Sequence, residues 1–206
     1  MLIRSTQISL QPTILTLLFI HLVMMILGDF FLFPLAASNE YIAKGEWWRV
    51  ITSLLVHVDL QHFLSNSIFL FALGSSIEKQ LGHFSFFILF FLSGISGNIS
   101  SYIIMPPEYI HAGASGGIFG LLGAQLFLLY NRYRSSKPKE IAIFSIVILL
   151  LLLFTFFNPS ANPISHLTGL ITGGILTPFL TKKTMVQSLF NIKACTIDNF
   201  YIYLFV

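Results

Sequence analysis

Apolar residues run along this chain in long blocks, interrupted by short polar stretches. The blocks cover Pro12 to Phe33, His62 to Leu81, Phe84 to Ile104, Ser115 to Tyr130, Ile141 to Phe157 and Ile164 to Leu180. A helix needs about 20 predominantly apolar residues to cross a bilayer, so the pattern predicts six membrane-spanning helices. The segment Pro34 to Gln61 is too polar to span. It nevertheless carries Trp47, Trp48 and alternating apolar positions, and is expected to lie in the membrane interface as an ordered loop. Beyond Lys183 the pattern is mixed, and its last apolar run, Tyr201 to Val206, is too short to cross. The expected organisation is a six-helix membrane domain over residues 1–183 and a C-terminal tail over residues 184–206.

Composition strengthens this picture. The 206 residues are 55% hydrophobic and 9% charged, with a mean hydropathy of +0.84, whereas soluble domains are about 25% charged. A water-soluble core is excluded, and no removable signal sequence is expected ahead of a polar mature domain. The single cysteine, Cys195, allows neither a disulfide framework nor a multi-cysteine metal site. Its net charge of +3 is spread over several loops, unlike the basic stripe of a nucleic-acid binder.

Charge does set orientation, because lysine and arginine accumulate on the cytoplasmic side of membrane proteins. With six spans, one face holds both termini and the second-to-third and fourth-to-fifth loops. That face carries nine cations: Arg4, Lys79, Arg132, Arg134, Lys137, Lys139, Lys182, Lys183 and Lys193. Only two, Lys44 and Arg49, lie on the other. Both termini are therefore expected in the cytoplasm, and in a bacterial cell the protein would sit in the cytoplasmic membrane.

Ionisable and strongly polar side chains at membrane depth are costly and mark functional sites. Three groups stand out: His62 and Asn66 at the start of the second span, Ser115 within Gly113-Ala114-Ser115-Gly116-Gly117, and His166 within Ser165-His166-Leu167-Thr168-Gly169. The charge count puts all three at the outer ends of their helices. At about 1.5 Å per residue the predicted fourth span covers roughly 24 Å of a roughly 30 Å core, so Ser115 is expected below the outer surface beside a water-filled pocket.

These groups suit hydrolysis of an acyl bond. A serine hydroxyl needs a base such as His166 to accept its proton and later return it to the leaving amine. The Ser115 backbone N–H and the side chains of His62 and Asn66, one helical turn apart, can stabilise an oxyanion. No Asp or Glu lies at the outer end of the sixth span, which predicts a dyad rather than a triad. Gly116 and Gly120, and Gly169 and Gly173, offer small faces for close approach of the fourth and sixth helices. Phe119, one turn beyond Ser115, is expected against the His166 ring.

In combination these residues resemble the rhomboid intramembrane serine proteases, from Glu46 to Gly174. The resemblance is carried by Glu46-Trp47-Trp48-Arg49, His57, His62-Phe63-Leu64-Ser65-Asn66, Glu78-Lys79, Gly113-Ala114-Ser115-Gly116, and His166 with Gly169 and Gly173. It implies an all-α, six-transmembrane-helix bundle with Ser115 as nucleophile, His166 as base, and His62, Asn66 and the Ser115 amide as oxyanion donors. It also implies cleavage of transmembrane protein substrates at or near the outer face, without a cofactor. Phe119 stands where some members have tyrosine, and Ser165 where alanine is common; neither departure removes a catalytic group. Without the large soluble appendages of some members, the chain looks like a compact, bacterial-type core.

Rival chemistries fare worse. A zinc triad of His57, His62 and His166 lacks an accompanying acid placed as a general base. Aspartyl chemistry needs two buried carboxylates, whereas Asp29 is the aspartate expected near a span. A hydrolase nucleophile elbow at Gly113 to Gly117 needs a preceding strand and an acid before the histidine, and Glu140 falls on the wrong side. His21, His83 and His111 read as interfacial or loop histidines, and Glu78-Lys79 as a cap on the inner end of the second span. A non-catalytic protein that binds client transmembrane helices is the competing function.

Overall fold

The computed structural model describes residues 11–132 and 161–181, together with positions 142, 145, 146, 148–151, 153 and 155. Parts of the predicted fifth span and the whole tail 184–206 lie outside the described residues.

Helix α1 (Pro12–Leu27) begins with proline in its first turn, where the missing N–H costs nothing. The first predicted span does not continue as one helix to Phe33. Gly28, at φ +55°, ends α1, and a second helix, α2 (Asp29–Leu35), begins there. A left-handed backbone is open to glycine and breaks the helical ladder. Two short helices, α3 (Asn39–Ala43) and α4 (Arg49–Thr52), follow. Then come α5 (Leu60–Leu81) and α6 (His83–Ile104), joined at Gly82 (φ +83°). By length and composition α6 can cross a membrane, alone among the helices of the described residues. Helices α7 (Ser115–Arg132) and α8 (Pro163–Leu180) complete the described fold.

A feature without sequence warning is an antiparallel pair of two-residue strands, β1 (Ala37–Ser38) and β2 (Ile110–His111), with Ala37 opposite His111. It ties the first loop to the segment leading into α7. Arg49 organises that loop from the inside: Nε donates to Glu46 at 2.6 Å, and Nη1 to the carbonyls of Phe33 (2.7 Å) and Ala36 (2.9 Å).

The core lies between α1, α5, α6 and α7, where Ile14, Leu70, Ile77, Phe86, Leu89, Phe90 and Leu121 are fully buried. Equally apolar residues face outward, with Ile26, Phe84, Ile103 and Phe179 each more than 70% exposed. Soluble monomers rarely expose apolar surface on this scale.

Glu78 departs from its expected role. Its buried carboxylate accepts hydrogen bonds from the amides of Thr13 (2.9 Å) and Ile14 (3.2 Å) and pairs with His83 Nδ1 at 2.7 Å. It therefore caps the start of α1, whose positive dipole end favours an anion, rather than its own helix. His83 is on the surface, as expected of a loop histidine, but His21 is fully buried in α1. Replacing Glu78 by alanine strands these amides. It is expected to lower unfolding free energy by about 2 kcal/mol, read as a reduced thermal midpoint in detergent; an unchanged midpoint would rule out the cap.

Candidate active site

Helices α5, α7 and α8 all begin at one end of the bundle, and each beginning is fixed by a local device. Asp59, not anticipated from sequence, is the N-cap of α5 and accepts from the His62 amide at 2.7 Å. Asn162 caps α8 by accepting from the Ser165 amide at 3.0 Å, with Pro163 in the first turn. The segment before α7 is pinned by the Gly113 amide, which donates to the Ser53 carbonyl at 2.9 Å. Three positive helix ends thus face one region, a setting that favours developing negative charge.

His62 and Asn66 are buried on one face of α5. They close on Gly113, two residues before Ser115. A Cβ at Gly113 would stand 2.6 Å from His62 Cε1, 2.8 Å from its Nε2 and 3.3 Å from Asn66 Nδ2. That crowding, with φ at +139°, leaves room only for glycine. Asn66 Nδ2 is a buried donor with no hydrogen-bond partner among the described residues.

On the other side, α8 packs against α7 almost backbone to backbone. A Cβ at Gly169 would collide with the Gly116 carbonyl oxygen, and one at Gly173 with that of Gly120. A Cβ at Gly116 would lie 2.6 Å from Ser165 Oγ, so the Ser165 side chain fills the space beside the start of α7. His166, 2% exposed, stacks flat on Phe119, with ring centroids 4.2 Å apart and planes inclined by 6°. Ser115, buried at the first position of α7, is one turn before Phe119 and so shares its face. His166 Nε2 has no hydrogen-bond partner among the described residues, so a Ser115–His166 hydrogen bond is not closed here; such bonds commonly tighten only with substrate present.

Two further residues near the site went unseen in the sequence. Thr155 Oγ1 lies 3.0 Å from His166 Nδ1, supplying the orienting group that no carboxylate provides. Its only sequence signal was a hydroxyl within an apolar run. Asn98, buried in α6, donates to the Val50 carbonyl (2.8 Å) and Ser53 Oγ (2.9 Å) and meets His111 Nε2 at 3.0 Å. It locks the first loop to the approach to α7.

His57 stands edge-on to both His62 (5.5 Å between centroids) and His21 (5.0 Å). Burial, with His21 and His62 alongside, pushes the His57 imidazole well below the usual histidine range, so it is neutral. His111, also buried, is lowered to about 4 by desolvation. Among the described residues, no three His, Cys, Asp or Glu side chains converge to hold a metal ion, His57, His62 and His166 included.

Residues 44–183 match the family model described as the rhomboid domain. The chain is similar to YdcA of Bacillus subtilis (strain 168), 39% identical over 142 residues, covering 69% of this chain and 71% of that protein. It is 36% identical over 139 residues to rhomboid protease GluP of the same organism, covering 67% of this chain but 27% of GluP. To Rhomboid-like protease 3 of Toxoplasma gondii it is 31% identical over 152 residues, with 72% of this chain and 57% of that protein covered.

Proposed function

The chain belongs to the rhomboid family, a family of membrane-embedded helical proteins, and on that premise we propose that it is an intramembrane serine endopeptidase. Its substrates are peptide bonds in or next to transmembrane segments of other membrane proteins. The observation that carries this reading is the convergence at the start of α7. The ring of His166 is held flat on Phe119 one turn beyond Ser115, while His62 and Asn66 close on Gly113 just before it.

In this reading Ser115 Oγ attacks the scissile carbonyl carbon as His166 Nε2 takes its proton. Negative charge on the carbonyl oxygen is met by the Ser115 backbone N–H and by donors on His62 and Asn66, already oriented in a buried region where such dipoles act strongly. Collapse of the tetrahedral intermediate breaks the C–N bond, and the amine leaves with the proton from His166. Water, deprotonated by His166, then cleaves the acyl-serine and restores the free hydroxyl.

The same reading includes six spans over residues 1–183 with both termini in the cytoplasm, a tail over residues 184–206, and a catalytic end toward the outer face. Support comes from the apolar outer surface of the helices and the nine-to-two asymmetry of lysine and arginine. Trp47 and Trp48, half exposed beside α4, suit an interfacial first loop.

The test is covalent labelling of the detergent-purified protein with a fluorophosphonate, which reacts only with an activated serine. Wild type is expected to label and Ser115→Ala to remain dark. A folded wild type that fails to label, yet captures transmembrane peptides, would replace this reading with a non-catalytic binder of client helices.

A further inference from the structure

We infer that Thr155 is a positioning residue that selects the reactive tautomer of His166, an inference that rests on reading His166 as the base. A threonine hydroxyl carries one proton and two lone pairs. Thr155 Oγ1 lies 2.9 Å from the Leu151 carbonyl oxygen and 3.0 Å from His166 Nδ1. A carbonyl only accepts, so the hydroxyl proton points to Leu151. With its single proton engaged there, Oγ1 can meet the imidazole only as an acceptor. The hydrogen between them therefore belongs to Nδ1.

A neutral imidazole has one N–H. Placing it on Nδ1 leaves Nε2 with a bare lone pair, the form able to take a proton from serine. Nε2 is also the ring nitrogen without a hydrogen-bond partner among the described residues. Two contacts then divide the work of orienting the ring. The Phe119 face, 4.2 Å away and nearly parallel, sets the plane. Thr155 sets the rotation within that plane and the tautomer.

The choice of a hydroxyl over a carboxylate has a physical basis. Both partners are buried, Thr155 at 9% exposure and His166 at 2%. An ionised acid at that position would have to be desolvated before the imidazolium exists to pair with it, at a large cost. A neutral acceptor avoids that standing charge. It still stabilises the imidazolium formed in the transition state, because a hydrogen bond to a charged donor is stronger than one to a neutral donor.

The experiment combines kinetics with spectroscopy on the full-length protein in detergent micelles. Thr155→Val keeps the shape and removes the acceptor. It is expected to lower kcat about ten- to a hundredfold with little change in KM, whereas Thr155→Ser, which restores a hydroxyl, recovers most of the rate. In wild type, 15N shifts of labelled histidine are expected to show His166 protonated at Nδ1 and bare at Nε2, a readout needing no variant. A Thr155→Val enzyme with wild-type kcat, or a wild-type His166 protonated at Nε2, would overturn the inference. If His166→Ala also retained activity, the serine–histidine reading would fall with it; if that variant is inactive while Thr155→Val is normal, only the role of Thr155 is lost.

Discussion

Alanine at Ser115 or at His166 is expected to reduce cleavage of a transmembrane substrate in proteoliposomes by at least about 10⁴-fold, and the double variant to lose no more than either single one. Groups that act as one unit fail together: a serine without its base is a weak nucleophile, and a base without its serine has no proton to take. Losses that simply multiplied would mean that the two side chains act separately, and full activity in either variant would end the proposed chemistry. Folding is expected to survive both changes. Ser115→Ala deletes one oxygen at a helix start, and His166→Ala leaves the backbone contact between α7 and α8 intact. A matching thermal midpoint for variants and wild type is the control that assigns the loss to chemistry.

Gly173→Ala is expected to destabilise the fold by about 3 kcal/mol, at the upper end of ordinary overpacking, while the same change at its neighbour, Gly174, is nearly neutral. A Cβ at Gly173 would collide with the carbonyl oxygen of Gly120 and lie 2.5 Å from its carbonyl carbon and 2.6 Å from its Cα. Backbone in the middle of a helix cannot swing aside as a side chain can, so α7 and α8 would have to separate. At Gly174 the nearest atom to an added Cβ is the Gly123 carbonyl oxygen at 3.7 Å, an ordinary contact. The pair of adjacent glycines thus carries its own control for helix propensity. Denaturant-induced unfolding of the two variants side by side measures the difference; equal stabilities would show that α7 and α8 do not pack as closely as described. Because Ser115 and His166 sit on these two helices, Gly173→Ala is also expected to reduce cleavage.

Much of the helical layout could be read in advance because an apolar block in a membrane protein has few alternatives. Backbone amides and carbonyls in hydrocarbon must pair within the segment, so block and helix nearly coincide. The predicted span His62 to Leu81 appears as Leu60–Leu81, Phe84 to Ile104 as His83–Ile104, and Ile164 to Leu180 as Pro163–Leu180. The break of the first span into two helices escapes such a reading because hydropathy does not register backbone conformation, and Gly28 turns the chain within a block that, Asp29 apart, stays apolar on both sides. Glu78 departs from its expected role for a related reason: its place near the end of α5 suggested a local cap, but the amides that it caps are 64 and 65 residues away.

The chain by itself determined which chemical groups are present and which helices carry them. Ser115, His166, His62 and Asn66 are conspicuous because polar side chains in apolar blocks are costly, and the glycines beside them are spaced for close packing. Phe119 against the His166 ring was expected from the sequence, and the structure adds that the two rings are nearly parallel. Only the tertiary structure decided that Gly113 is wedged under His62 and Asn66 and that a threonine rather than an acid stands at His166 Nδ1. Such pairings join residues distant along the chain, through contacts of a few ångströms set by how α5, α7 and α8 pack. Spacing along one helix constrains which residues share its face, but does not fix the distances and orientations at which another helix meets that face.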